Sequence, residues 1–284
     1  MNGITMTALG SPALRILSFG AGVQSTVMLL MACKGEIGPR PDHVIFADTG
    51  FEPDNVYNHL AWCRAEVARL TNGQVDIHVV TAGNIRDDHL AGLGATGKRF
   101  ASMPLYTANG GGMSRRQCTK EYKIDPIRAE VRRLLGVERR KRVPRVIMVE
   151  QWIGISTDEI QRAKPSRDKW CAHRFPLIEA GMNRGDCRAW FGRNYPGRPL
   201  AKSACVACPF HDNSAWLDMK LSDPESWGRA VEFDEAIRCD GARLRLMTEQ
   251  QYVHRSGVPL ARADLGDSRT DDMFAHECEG MCGV

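Results

Sequence analysis

Two thiols three residues apart, Cys205 and Cys208 in the stretch CVACP, are the most chemically pointed feature of this sequence. On a turn closed by Pro209 such a pair can ligate one centre, act as a redox dithiol or form half of a zinc site. Cys118, in RRQCTKEYK, adds a third thiol if the chain folds its segment alongside, and the tail HECEGMCGV offers a fourth, Cys278 or Cys282. A different chemistry is written far upstream. SFGAGVQST, residues 18–26, follows the apolar run LRIL, and residues this small between a strand and a helix let backbone N–H groups converge on an anion. The stretch lacks the lysine of a Walker A loop, and Ser25 stands where a dinucleotide fingerprint puts its third glycine. A phosphate cradle helped by the Ser25 and Thr26 hydroxyls and a plain strand-to-helix turn both fit it.

The chain of 284 residues is long enough for one large domain or a domain with an appendage. No stretch approaches the roughly 18–20 apolar residues that span a bilayer, and the first residues lack the plan of a secretory signal. The expected location is therefore cytoplasmic, with no membrane partner. In a reducing compartment ten cysteines do not read as a disulfide framework. Those that lie singly, Cys33, Cys63, Cys171, Cys187 and Cys239, are expected to pack as small hydrophobes. The net charge of +4 neither demands nor excludes nucleic acid, but residues 128–145 carry eight basic side chains against two glutamates. Arg139, Arg140, Lys141 and Arg142 at its centre are either a solvated face or a contact for tRNA or DNA phosphates.

Elements must position these groups. Apolar, β-rich runs at residues 14–19, 43–48, 75–80 and 145–155 alternate with helix-like segments at 24–33, 54–70 and 124–135, the last with Pro126 near its first turn. That alternation predicts an α/β fold with a parallel sheet covered on both faces. Ligands of such sheets sit at the carboxyl ends of the strands, where residues 18–26 fall. Residues 89–117 are glycine-rich and without period, a long loop of the kind that is functional or disordered. The expected division is a domain over 1–200 and an appendage over 201–284 that carries the Cys-X-X-Cys and helix-like segments at 213–221 and 223–239. His211 is expected beside the thiols or at the surface; nothing stronger attaches to His173 and His276.

Four further stretches follow in order: FADTGFEPDNVY at residues 46–57, RQCTKEYKIDPI at 116–127, WIGISTDEIQRAK at 152–164 and FPLIEAGMNRGDCRAWF at 175–191. Together with the first loop they resemble the PP-loop superfamily, in particular its phosphoadenylyl-sulfate (PAPS) reductase-like, N-type ATP pyrophosphatase group. The family loop reads SGGxDS; aligned on Ser25, this chain has Gly20, Ala21, Gly22, Val23 and Gln24, so the first serine and the aspartate are replaced, with Ser18 two residues upstream. The resemblance implies an adenine nucleotide α-hydrolase-like domain on a parallel sheet of five strands. ATP, with Mg2+, would lie over Gly20 to Thr26, and its adenosine near Phe46, Asp48 and Thr49, with Gly154 at a further strand end. Lys123 and Arg162 would stabilise charge on the phosphates. Ser156 stands where reductases place arginine.

Cys118, Cys205 and Cys208 resemble the ligand set of the family's iron–sulfur enzymes that thiolate nucleic acid, with Cys278 as a candidate fourth ligand of a 4Fe–4S cluster and zinc as the other metal thiolates suit. The tail echoes the reductases' Glu-Cys-Gly, which makes Cys278 and Cys282 candidate catalytic thiols. The function so implied is ATP-dependent activation of a substrate, nucleic acid among the candidates, with release of AMP and pyrophosphate, then sulfur transfer from a donor protein. The other readings are a PAPS or adenylyl-sulfate reductase and a catalytically silent nucleotide-binding module.

Overall fold

The computed structural model describes residues 12–92, 95, 103–108, 112–138, 140–144, 148–239 and 249–266. The apolar runs form a sheet. Strands β1 (Leu14–Phe19), β2 (His43–Asp48), β3 (Ile77–Thr81), β5 (Val149–Ile153) and β6 (Cys171–Arg174) lie in the order β3-β2-β1-β5-β6, and every neighbouring pair is parallel. A separate antiparallel ribbon pairs β4 (Tyr106–Thr107) with β7 (Gln251–Tyr252). The chain is thus an α/β protein of Rossmann-like arrangement. It runs outward from β1 to β3, then returns to the other side of β1, so the strand order reverses at the crevice between the carboxyl ends of β1 and β5.

Alternate residues of a strand face opposite ways, and both faces here are covered. Leu17, Phe19, Val44, Phe46 and Trp152 pack under α1 (Val23–Lys34), α2 (Asp54–Thr71) and α6 (Arg184–Asn194). Ile16, Ile45 and Val149 pack against Ile127 and Val131 of α4 (Asp125–Leu134) on the other face. Ten of the twelve α1 residues are buried, which makes α1 a central helix between sheet and neighbours. Helix α4 carries a proline in its first turn, as its sequence predicts, and is preceded by a π-type turn at Thr119–Ile124.

A further apolar cluster joins Phe51, Tyr122, Val206, Trp216 and Phe233, bringing α3 (Ile85–Leu90), α7 (Asn213–Ser222) and α8 (Pro224–Cys239) beneath the loops at the sheet's carboxyl edge. Residues on either side of position 200 therefore share one core. The remaining short helix is α5 (Pro176–Glu179). Among the described residues no helix is long and apolar enough to cross a membrane.

Candidate functional site

The loop after β1 turns through Ala21, whose φ of +57° is left-handed, at a position where the resembled motif has glycine. Gly22 then starts α1 with no side-chain cap and no acid in the first turn. Residues 20–26 are all buried. The Gly20 amide donates to Ser25 Oγ (3.3 Å), and Thr26 Oγ1 lies 2.9 Å from His59 Nε2. Burial holds the His59 pKa down at about 4, with the Arg198 charge adding to the effect.

Gln24 closes the crevice: its Nε2 donates to Glu159 Oε2 (3.0 Å) and Ser156 Oγ (3.3 Å) beyond β5. Two of the positions at which the sequence departs from the resembled family, Gln24 for aspartate and Ser156 for arginine, thus meet as a neutral pair. Gln24 is wholly buried, and its Oε1 has no hydrogen-bond partner. Ser18 sits lower, inside β1, and accepts from Gln151 Nε2 of β5 at 2.7 Å. Gly154 is buried at the end of β5, and the Phe46 side chain belongs to the core, 6.2 Å from Phe19 between ring centroids.

The loop after β2 holds Asp48, Thr49 and Gly50. Asp48 Oδ1 accepts from the Gly50 amide (2.8 Å) and the Tyr57 hydroxyl (2.9 Å). Gly50 has φ +71°, and a Cβ there would stand 3.0 Å from Asn84 Cα, so the turn requires glycine. The Cys-X-X-Cys docks on this loop through Val206 N to Phe51 O (2.9 Å). Thr49 Oγ1 donates to Glu52 Oε1 (2.9 Å) and lies 3.4 Å from Cys205 Sγ, which in turn donates to Glu52 Oε1 at 3.6 Å. Lys123, from the π-type turn that follows Cys118, places Nζ 4.0 Å from Glu52 Oε1. Glu52 is 1% exposed and its Oε2 has no partner. Burial and this carboxylate raise the Cys205 pKa well above the usual thiol range, against the pull of Lys123.

Cys118, Cys205 and Cys208 line one small cavity of about 30 Å³ together with Thr49, Lys123 and Arg116. By donor chemistry this set fits a thiolate-bound iron–sulfur or zinc centre. Among the described residues no three His, Cys, Asp or Glu side chains are gathered to hold a metal ion. His211 lies behind the pair, with Nε2 3.1 Å from the Cys205 carbonyl and its ring edge-on to Trp216. Burial holds its pKa down at about 4.

A second cavity, of about 410 Å³, opens beside the thiols on the α4 face of the sheet, and Arg116 lines both. Arg115 and Lys120 flank it from the segment around Cys118, and Arg128 from α4. Arg162, Lys164 and Arg167 complete it from the chain after β5, so seven cations face two carboxylates, Asp125 and Asp168. Each acid has a cation partner, Lys120 with Asp125 at 2.5 Å and Arg128 with Asp168. Arg162 also pairs with Glu159, the residue that Gln24 bonds, so cavity and crevice share a wall.

The fold brings together Lys123, Arg162, Thr49 and the thiols Cys118, Cys205 and Cys208, in two adjoining cavities. Residues 20–26 line neither of them. Cys278, Cys282, His276 and Arg139 lie outside the described residues. Of the single cysteines, Cys63, Cys171 and Cys187 are buried as expected, Cys33 is partly buried, and Cys239 is exposed. Sequence reading passed over Glu52, Arg115, Arg116, Lys120 and Arg167. The available signal was position: Glu52 follows the Asp-Thr-Gly of a strand end, and Arg115 and Arg116 adjoin a candidate ligand. Comparison with protein-family models, curated proteins and solved structures finds no match.

Proposed function

We propose that this chain is a nucleotide-dependent enzyme of sulfur chemistry, in the manner of the PP-loop proteins it resembles. The observation that carries the reading is that Cys118, Cys205 and Cys208 line one small cavity at the carboxyl rim of a parallel sheet, next to a larger one with a strong excess of positive charge. In this reading ATP lies with its phosphates on the uncapped start of α1, an anion site by its dipole and free first-turn amides, once the Gln24 bridge opens. A substrate oxygen attacks the α-phosphorus and pyrophosphate leaves; a sulfur nucleophile then displaces AMP from the activated carbon. Arg162 and Lys123 stabilise the negative charge that grows on the phosphates, and magnesium would neutralise the leaving pyrophosphate. Cys118, Cys205 and Cys208, with Cys278, would hold the iron–sulfur cluster or zinc; such a centre supplies sulfur binding and exchange. The Glu52 carboxylate holds the Cys205 proton until the thiol is engaged.

A second reading is a sulfonucleotide reductase, because the cationic cavity next to thiols equally fits a nucleotide sulfate. Anaerobically purified protein separates the two. ATP with nucleic acid, assayed for pyrophosphate, should give turnover; PAPS with thioredoxin, assayed for sulfite, should not. Cys205→Ser should abolish sulfur incorporation and leave pyrophosphate release in place. Sulfite without pyrophosphate would replace the first reading by the second.

A further inference from the structure

Three hollows of the structure follow one another, each sharing lining residues with the next. A groove of about 570 Å³ runs along α4 past Arg132 and Arg133. The 410 Å³ cavity begins where the groove ends, since both are lined by Asp125 and Arg128. The thiol cavity follows, joined to the second through Arg116. Aromatic rings stand among the cations. Phe175, with His173 edge-on at 6.4 Å between centroids, lines the middle hollow, and Phe210 lies under the Arg116 guanidinium at 4.8 Å at the inner end. At the outer end Arg132 donates to the backbone carbonyls of Glu138 (3.3 Å) and Lys141 (2.6 Å), which holds Lys141 near the groove.

We propose that this series of hollows is a binding track for a single-stranded segment of nucleic acid. Its phosphates follow the cations inward from α4, a base stacks on Phe175 in the middle hollow, and the nucleotide held there presents its reacting edge to Cys118, Cys205 and Cys208. Cations that track a backbone, with rings set between them, are how proteins hold single strands. One nucleotide fills the middle hollow alone and leaves the groove along α4 without a partner. A duplex can lie on the groove, but its paired bases cannot turn an edge toward the small thiol cavity behind it. The inference rests on the proposed function for the reaction at the inner end, and on the cavities themselves for binding.

The test uses the full chain and short fluorescein-labelled single strands of RNA and DNA, followed by anisotropy as salt is raised. Binding should weaken with a log–log slope of about −2 to −4, as contacts to roughly three to six phosphates require. Arg133→Gln combined with Lys141→Gln should weaken it roughly tenfold while ATP binding stays unchanged. In the unaltered protein, a strand carrying 5-iodouracil should photocrosslink at Phe175, a readout that does not depend on how a variant folds. Equal affinity for duplex, a salt-independent affinity or crosslinks confined to other faces would overturn the track. Protein that binds ATP and releases pyrophosphate but holds no single strand refutes the track and leaves the proposed function standing. Protein that holds the strand at these residues yet neither releases pyrophosphate nor transfers sulfur does the reverse.

Discussion

The two ends of the rim are built on opposite principles. Between β1 and β5 the buried groups are neutral, Gln24, Ser156, Ser25 and Thr26, and the one carboxylate among their partners, Glu159, is only partly buried and paired with Arg162. At the end of β2 the chain buries a carboxylate, an ammonium and a thiol against one another, with Glu52 1% and Lys123 5% exposed. The first arrangement is what a stable turn needs. The second carries desolvation costs that an apolar trio of similar size would avoid. Groups kept at such a cost beside a cationic cavity are what the proposed function would use, and a displaced pKa such as that of Cys205 is more frequent where chemistry is done.

The largest effect that could break this contrast is loss of the buried ion pair. Lys123→Ala leaves the Glu52 carboxylate without its cation and should cost about 3–5 kcal/mol in denaturant unfolding. Lys123→Met combined with Glu52→Gln should recover most of that loss, because the pair is then replaced by groups that need no counter-charge. A single-variant cost below about 1 kcal/mol would mean that the pair is hydrated and that the two ends do not differ as described.

Acidification should strike both ends alike. His59 serves the α1 side through Thr26 and His211 the thiol side through the Cys205 carbonyl, and each has its pKa lowered to about 4. The unfolded chain takes up a proton near pH 6.5 that the folded chain refuses until about pH 4, so stability is full above 6.5 and falls as pH drops through that window. At pH 5 the loss should be about 2 kcal/mol per histidine. His59→Gln and His211→Gln should each remove about 2 kcal/mol of the loss at pH 5, and the remainder belongs to His43, His173 and His254, whose pKa values burial also lowers. A loss untouched by one of these changes would mean that the histidine concerned is hydrated in the folded chain.

How far each end was legible follows from the same contrast. Apolar runs fixed by core burial were readable: β1 and β2 begin and end where residues 14–19 and 43–48 predict, and α1 and α2 exceed their expected spans by only a residue or so at either end. The third run settles at Ile77–Thr81 rather than 75–80, because Val75 is buried ahead of the ladder and Thr81 pairs with Asp48. Strand β5 keeps only Val149–Ile153 of residues 145–155, of which 145–147 lie outside the described residues. Strand β6 was not singled out, since CAHR carries one buried residue and no alternation. Helix α6 was hidden in a Pro-Leu stretch, although its capping box at Asn183 and Asp186 is a local signal. The convergence of Cys118 with Cys205 and Cys208 rested on resemblance, and it took the Val206–Phe51 bond to bring the distant segment in. The cationic cavity was illegible because its lining comes from three segments, none of them charged enough to stand out alone.

The smallest effect belongs to the closed crevice. Gln24→Ala removes two amide hydrogen bonds, but the acceptors are not stranded: Glu159 keeps Arg162 and Ser156 keeps Asp158. The orphaned Oε1 disappears with the side chain. The net cost should therefore be about 1 kcal/mol by denaturant unfolding, less than a buried two-bond contact removes when its partners are left bare. The same change takes away the bridge between the α1 turn and the chain after β5, so ATP should bind at least as tightly to the variant as to the parent in calorimetric titration. A variant that unfolds by several kcal/mol would make Gln24 a keystone of the fold. Weaker ATP binding in a well-folded variant would instead make the Gln24 amide itself a contact of the nucleotide rather than a bridge that must open for it.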